Sequence, residues 1–243
     1  MRSVSIINPA SVAPLVLTCE HASYAVPVEY DDLGLDREAL EDHIGWDIGA
    51  RQVTEALAQR FNASAVLAGI SRLVIDCNRE LTDHDLIVAE SHGVPIPGNA
   101  RLDADERERR IRDFYQPYHE AIDAILGRRP QAFLLSVHSF APELTGRARR
   151  FDVGVLFDAF VAEAEQVGEA LSDAGLKVRY NEPYSGLDGL IFSARTHGMQ
   201  HGLRYLEIEV NNRLLRDTDG CAAIATSVGR ALGRCLDTRG VED

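Results

Sequence analysis

The sequence predicts an α/β protein built on a layered, largely parallel sheet. Short apolar runs of strand length alternate along the chain with longer stretches of helical periodicity, which is how strands joined by crossover helices read. The 243 residues suffice for one sizeable core and make two a squeeze. No repeat, low-complexity tract or long linker interrupts them, so one domain over residues 1–243 is expected. Hydrophobic residues make up 45% and charged residues 26%, proportions that favour a packed core over disorder.

In chain order, residues 1–12 read as a loose leader. Residues 14–18 form a buried strand opening into Cys19-Glu20-His21. From 36 to about 61 the pattern is helical, with a break near Gly45. Residues 63–68 and 73–78 are β-rich runs. Residues 80–100 carry Gly93, Pro95, Pro97 and Gly98 and read as a long surface loop, the kind that borders a site. Asp103 with Glu106 three positions on has the spacing of a helix start. Ile111, Phe114, Tyr118, Ile122 and Ile125 then recur at helical intervals. Strands follow at 132–137, running into His138, and at 153–157, 177–180 and 204–210. An amphipathic helix lies at 160–171. Ile224, Val228, Leu232 and Cys235 share one face of a last helix.

The formal net charge is −13 and no basic stripe is present, so no nucleic-acid partner is expected. No apolar run approaches the ~20 residues that cross a bilayer, and no basic region followed by a long apolar core opens the sequence, so a cytoplasmic protein without a membrane partner is expected. The four cysteines, Cys19, Cys77, Cys221 and Cys235, form no CxxC pair and sit among apolar neighbours. They read as buried thiols of a reducing compartment. Oligomeric state is not legible.

Ligands of such sheets bind beyond the carboxyl ends of the strands, and polar groups collect there. The first strand ends in Glu20-His21, the 73–78 run in Asp76-Cys77-Asn78-Arg79, and the 132–137 run in His138-Ser139. In Leu206-Glu207-Ile208-Glu209-Val210, alternation puts both glutamates on one face, toward a polar cavity, a cation or a solvated sheet edge. His21 and His138 on one rim, with a carboxylate and an open position, make a catalytic zinc set. The carboxylate is Asp47 or Glu20, with Asp47 preferred. Arg79 offers a bidentate fork for an anion, helped by Asn78 and by Arg72 or Arg150. The bland reading of Asp76 with Arg79 is an internal structural pair.

The pieces Cys19-Glu20-His21-Ala22-Ser23, Trp46-Asp47, Ser71-Arg72-Leu73-Val74-Ile75-Asp76-Cys77-Asn78-Arg79, Val137-His138-Ser139-Phe140, Asn181-Glu182-Pro183-Tyr184-Ser185-Gly186 and Leu206-Glu207-Ile208-Glu209 stand in an order that resembles the N-formylglutamate amidohydrolase family. The resemblance covers about residues 14–235. It implies a three-layer α/β/α, phosphorylase/hydrolase-like fold with a mixed, largely parallel sheet, akin to zinc carboxypeptidases and aspartoacylase-like deacylases. It further implies that His21 and His138 bind a divalent metal such as zinc. The Asp-x-Asn-Arg segment at 76–79 would take the substrate's carboxylate, and Glu209 would act as general base. The metal-binding glutamate of the wider group would fall at Tyr24, which leaves the third ligand between Asp47 and Glu20.

The expected function is therefore metal-dependent hydrolysis of the amide bond of a small N-acyl acidic amino acid such as N-formylglutamate. Glu209 is the catalytic residue, and Arg79, Asn78, Arg72, Arg150 and Tyr184 bind substrate. His197 is a weaker candidate for the pocket wall. Two alternatives stand beside this: a non-catalytic or divergent binder of acidic metabolites, and a thiol amidase using Cys19 or Cys77.

Overall fold

The computed structural model describes residues 2–144 and 146–237. Seven strands form the sheet: β1 (Val4–Ile7), β2 (Leu15–Cys19), β3 (Ser64–Ala68), β4 (Phe133–Phe140), β5 (Val153–Leu156), β6 (Val178–Tyr180) and β7 (Arg204–Asn211). Their spatial order is β1-β3-β2-β4-β7-β5-β6. The inner run β3, β2, β4 and β7 is parallel. At one edge β1 lies antiparallel to β3. On the other side β5 lies antiparallel to β7, with β6 parallel to β5.

Helices cover both faces. On one side pack α2 (Ala50–Phe61), α5 (Val161–Asp173) and α7 (Thr218–Asp237); on the other, α3 (Ala104–Arg110), α4 (Gln116–Leu126) and α6 (Phe192–His201). A single turn, α1 (Arg37–Glu41), precedes α2. The stripe Ile224, Val228, Leu232 and Cys235 of α7 is buried against α2, α5 and the sheet, each large apolar side chain contributing ~1.5–3 kcal/mol. Alternation along β7 sends Leu206, Ile208 and Val210 into that same layer. Glu207 and Glu209 face the other way. Because β7 lies between β4 and β5, the solvated-edge reading of the two glutamates falls.

The helical break at 36–61 is present, and α2 is entered through Gly49, whose φ is 83°. A side chain there would collide with Leu215, so only glycine makes this entry. The helix start at Asp103 is also present: its carboxylate accepts from the Glu106 N–H at 2.8 Å. That helix is one rod in three parts, α3, a π-helical turn Ile111–Tyr115, and α4.

Two sequence expectations need correction. Residues 4–7 are not a leader but an edge strand, paired from Val4 with Ala68 to Ile7 with Ala65. Residues 73–78 are not a strand. Side chains claim their backbone groups before a ladder can: Asn99 donates to the Leu73 carbonyl at 2.8 Å and Arg110 to the Val74 carbonyl at 3.0 Å. The segment folds as consecutive turns, and 76–79 reaches the site as a loop. None of the described helices is long and apolar enough to cross a membrane.

Candidate active site

A cavity of about 300 Å³ opens beyond the carboxyl ends of β2, β4 and β7, on the α3/α4/α6 face. Parallel pairing sets Glu207 beside Ser136 and Glu209 beside His138. His21 follows β2 by two residues, and Asp47 stands in the turn before α2. The Asp47 N–H donates to the His21 carbonyl at 3.0 Å, tying the two segments together. Both imidazoles are buried, at 3% and 2% exposure. Their ring centroids are 4.8 Å apart at an interplanar angle of 71°.

The two rings converge on one carboxylate oxygen. His138 Nδ1 lies 2.8 Å from Asp47 Oδ2 and His21 Nδ1 lies 3.5 Å from it. His21 Nδ1 is buried and has no hydrogen-bond partner. Each ring is held from behind at Nε2 by a different carboxylate. His21 Nε2 meets Asp76 Oδ1 at 2.7 Å, and Arg72 donates to Asp76 Oδ2 at 2.8 Å. His138 Nε2 meets Glu20 Oε2 at 3.0 Å. Glu20 also accepts from Ser136 Oγ at 2.6 Å and from the Tyr118 hydroxyl at 2.9 Å.

The charges follow from burial and neighbours. Burial alone would raise the pKa of Asp47 and Asp76, but His21, with His138 on Asp47 and Arg72 on Asp76, holds both below the usual carboxylate range. Burial opposes a charge on His138, yet Glu207, Asp47 and Glu20 push its pKa well above the ordinary imidazole value. The opposite balance rules on β7. Burial, with Glu20 nearby, raises Glu207 to about 7 against the pull of His138. Burial, with Asp47 and Glu207, lifts Glu209 well above the carboxylate range, and its Oε2 has no partner. Cys19 and Cys77 are buried, and desolvation raises both thiols well above their ordinary range, which disfavours a thiolate.

Of the sequence candidates, His21, His138, Asp47, Asn78, Arg79, Arg72, Tyr184 and Glu209 all line the cavity. Glu20 does not; it stands behind His138. Arg150 does not; it lines a separate depression with Arg147 and Arg179. Its neighbour Arg149 takes the place at the cavity wall, its guanidinium 5.3 Å from the Tyr184 ring centroid and 5.6 Å from that of Phe140. Arg72 is engaged by Asp76 and, at 3.5 Å, by Asp47. Asn78 is held at both ends, its Oδ1 accepting from the Ser193 N–H at 2.9 Å and its Nδ2 donating to Glu207 Oε2 at 3.3 Å. His197 does not line the cavity: it bonds His119 at 2.8 Å and Asp123 at 2.7 Å on the α4/α6 contact. The sequence reading set Glu207 on one face with Glu209 without giving it a role, and counted Arg149 only as one of three loop arginines able to hold an anion. The two-residue spacing to Glu209 signalled the first; nothing in the run Arg147-Ala148-Arg149-Arg150 singled out the second.

A mixed sheet with imidazoles and carboxylates gathered beyond its parallel strand ends is an α/β architecture suited to hydrolysis, and known relatives narrow that class. The family model of the N-formylglutamate amidohydrolases matches residues 13–216. The crystal structure of a gene product from Agrobacterium tumefaciens is similar over 99% of this chain and 97% of its own, at 34% identity and a TM-score of 0.94. That of an N-formylglutamate amidohydrolase from Ralstonia eutropha JMP134 is similar over 99% of this chain and 100% of its own, at 21% identity and a TM-score of 0.67. No curated protein gives a match. The chain belongs to the N-formylglutamate amidohydrolase family and is an amidohydrolase.

Proposed function

We propose that the protein is a metal-dependent amidohydrolase that cleaves the amide bond of a small N-acyl amino acid with an acidic side chain, N-formylglutamate being the first to test. The observation that carries the reading is the convergence of His21 Nδ1, His138 Nδ1 and Asp47 Oδ2, with His21 Nδ1 buried and unpartnered. The ligand atoms of the three residues lie within 4.8 Å of one another. The donor set fits a divalent ion such as zinc: two imidazoles whose far nitrogens are fixed by carboxylates, plus one carboxylate. His21, His138 and Asp47 would hold the ion. Glu20, the other sequence candidate for the third ligand, orients His138 instead. Such an ion, when bound, polarises the acyl carbonyl and makes water more acidic.

The chain's own groups supply the rest. Glu209 takes the proton of the attacking water at its unpartnered Oε2 and returns it to the departing amine. Its raised pKa would be drawn down by a cation bound beside it, so that the carboxylate form is there to accept the proton. Arg79 and Arg149 face the cavity as anchors for the carboxylates of the substrate. Arg72, occupied by two aspartates, steadies the metal cradle, and Asn78 fixes Glu207. A volume near 300 Å³ suits a small metabolite.

The trio His138, Glu207 and Glu209 is equally compact and offers a second cradle. It is the weaker one, because His138 Nε2 is already engaged by Glu20. The test is elemental analysis of protein purified without added metal, together with turnover of N-formylglutamate with and without chelator. Metal near one equivalent and chelator-sensitive turnover are expected. Metal-free protein with full activity overturns the reading.

A further inference from the structure

Beside the catalytic cavity lies a second depression of about 520 Å³. The two share Leu144 and Arg149 in their walls, so they are neighbouring chambers with one partition. Four guanidiniums, Arg147, Arg149, Arg150 and Arg179, line the second chamber against one carboxylate, Glu182.

Three of these arginines are free. Arg147, Arg150 and Arg179 are exposed and make no ion pair, side-chain hydrogen bond or ring contact among the described residues. This is notable in a chain of net charge −13, where carboxylates able to neutralise them are abundant. Like charges gathered without counter-charges repel one another, and an anion relieves that cost.

The arm that carries three of the four is pinned. The Arg149 N–H donates to the Pro142 carbonyl at 2.7 Å. Buried Asn211, at the end of β7, donates to the Arg149 carbonyl at 3.3 Å and the Phe151 carbonyl at 2.9 Å. Arg179 comes from β6, at the sheet edge, so two separate elements present the cations. Arg149 in the partition, packed between Phe140 and Tyr184, can reach an anion from either side.

We propose that this chamber is a second anionic subsite, which takes a further acidic residue attached to the amino acid held in the catalytic cavity. The preferred substrate is then an N-acyl amino acid extended by an acidic residue, such as an N-formyl glutamyl-glutamate, rather than the single N-acyl amino acid. The inference rests on the amidohydrolase reading of the cavity and names its substrate class more narrowly. Guanidinium forks suit carboxylates, and two or more working together give selectivity that one exposed pair does not.

The experiment compares N-formylglutamate, N-formyl glutamyl-glutamate and N-formyl glutamyl-alanine as substrates for the metal-loaded protein and for the exposed double variant Arg147→Ser/Arg179→Ser. In parallel, calorimetry measures binding of glutamate and of the dipeptide glutamyl-glutamate, which needs no turnover. The diacidic substrate should exceed the other two in kcat/KM by ~10-fold or more, the effect of about 1.4 kcal/mol. The double variant should lose that advantage and leave N-formylglutamate turnover unchanged. The dipeptide should bind wild type ~10-fold more tightly than glutamate does, and the gap should close at high salt. Equal kcat/KM for the three substrates with equal affinities for the two amines overturns the subsite, as does an advantage that survives the double variant. Absence of turnover on all three substrates counts against the amidase reading alone, since dipeptide binding still decides the subsite.

Discussion

Replacing Glu20 by glutamine isolates one side chain's role, because it keeps the volume and removes the charge. Glu20 is 1% exposed and accepts three bonds, from Ser136, Tyr118 and His138 Nε2. An amide offers one acceptor oxygen, so its NH2 must face at least one of those donors. A buried donor left without a partner costs ~1–3 kcal/mol, and the lost support for the His138 ring costs ~10–100-fold in metal affinity. The variant should therefore unfold at lower urea concentration and bind zinc correspondingly more weakly in a competition titration. The pH dependence has a definite sign. Burial pushes the Glu20 carboxyl up, but bonds from His138 and Ser136 overrule it and hold it below its ordinary 4.5. Unfolded protein thus takes up this proton first on acidification. The stability that the charged form contributes is fully present above pH 4.5 and is lost as pH falls through the lower folded value. The stability gap between wild type and variant should be the same at pH 7 and pH 5.5 and shrink only below about 4.5. Wild-type zinc affinity and stability in the variant would refute the orienting role.

Three shorter expectations accompany it. Glu209→Gln should lower kcat by ~10²–10⁴-fold with metal content unchanged by elemental analysis; metal loss would place Glu209 among the ligands instead. Iodoacetamide on the folded protein should leave activity intact, since Cys19 and Cys77 are buried; rapid inactivation matching labelling of either would revive the thiol mechanism. Burial, with His197 beside it, lowers the pKa of His119 to about 3 from its ordinary 6.5. The unfolded chain then binds the proton first, so stability falls with pH below 6.5. The drop should be ~2 kcal/mol between pH 7.5 and pH 5 from this group. Urea titrations at both pH values should show a smaller drop in His119→Gln, and an equal drop would assign the effect elsewhere.

The layered architecture was legible because its inner strands are apolar on both faces: Leu15–Cys19 and most of Phe133–Phe140 read as buried without knowledge of their partners. The rim histidines and Glu209 were legible for a related reason, since polar residues that end apolar runs have few places to go. Asp76 to Arg79 was found for the wrong structural reason. The run looks like a strand, yet Asn99 and Arg110, more than twenty residues away, capture its carbonyls. No local pattern reveals such a competitor. What separates Asp47 from Glu20 was equally non-local, because it is which nitrogen of His138 each carboxylate meets. The exchange of Arg149 for Arg150 at the cavity wall depends on how the 147–150 arm is pinned by Asn211.

The π-helical turn Ile111–Tyr115 has a consequence for how this rod can change in length. A wide turn amounts to one surplus residue inside a regular helix. Upstream of it Arg110 spans Val74 and Asn99, and downstream Tyr118 meets Glu20 beneath His138. Excision of a single residue here would yield a regular helix with both halves in their present phase, whereas winding all the present residues as a regular helix would rotate the halves against each other by ~100°. Arg110 and Tyr118 could not then both keep their appointments, so the wide turn lets the rod carry a surplus residue without losing the phase between the 73–78 turns and the floor of the site.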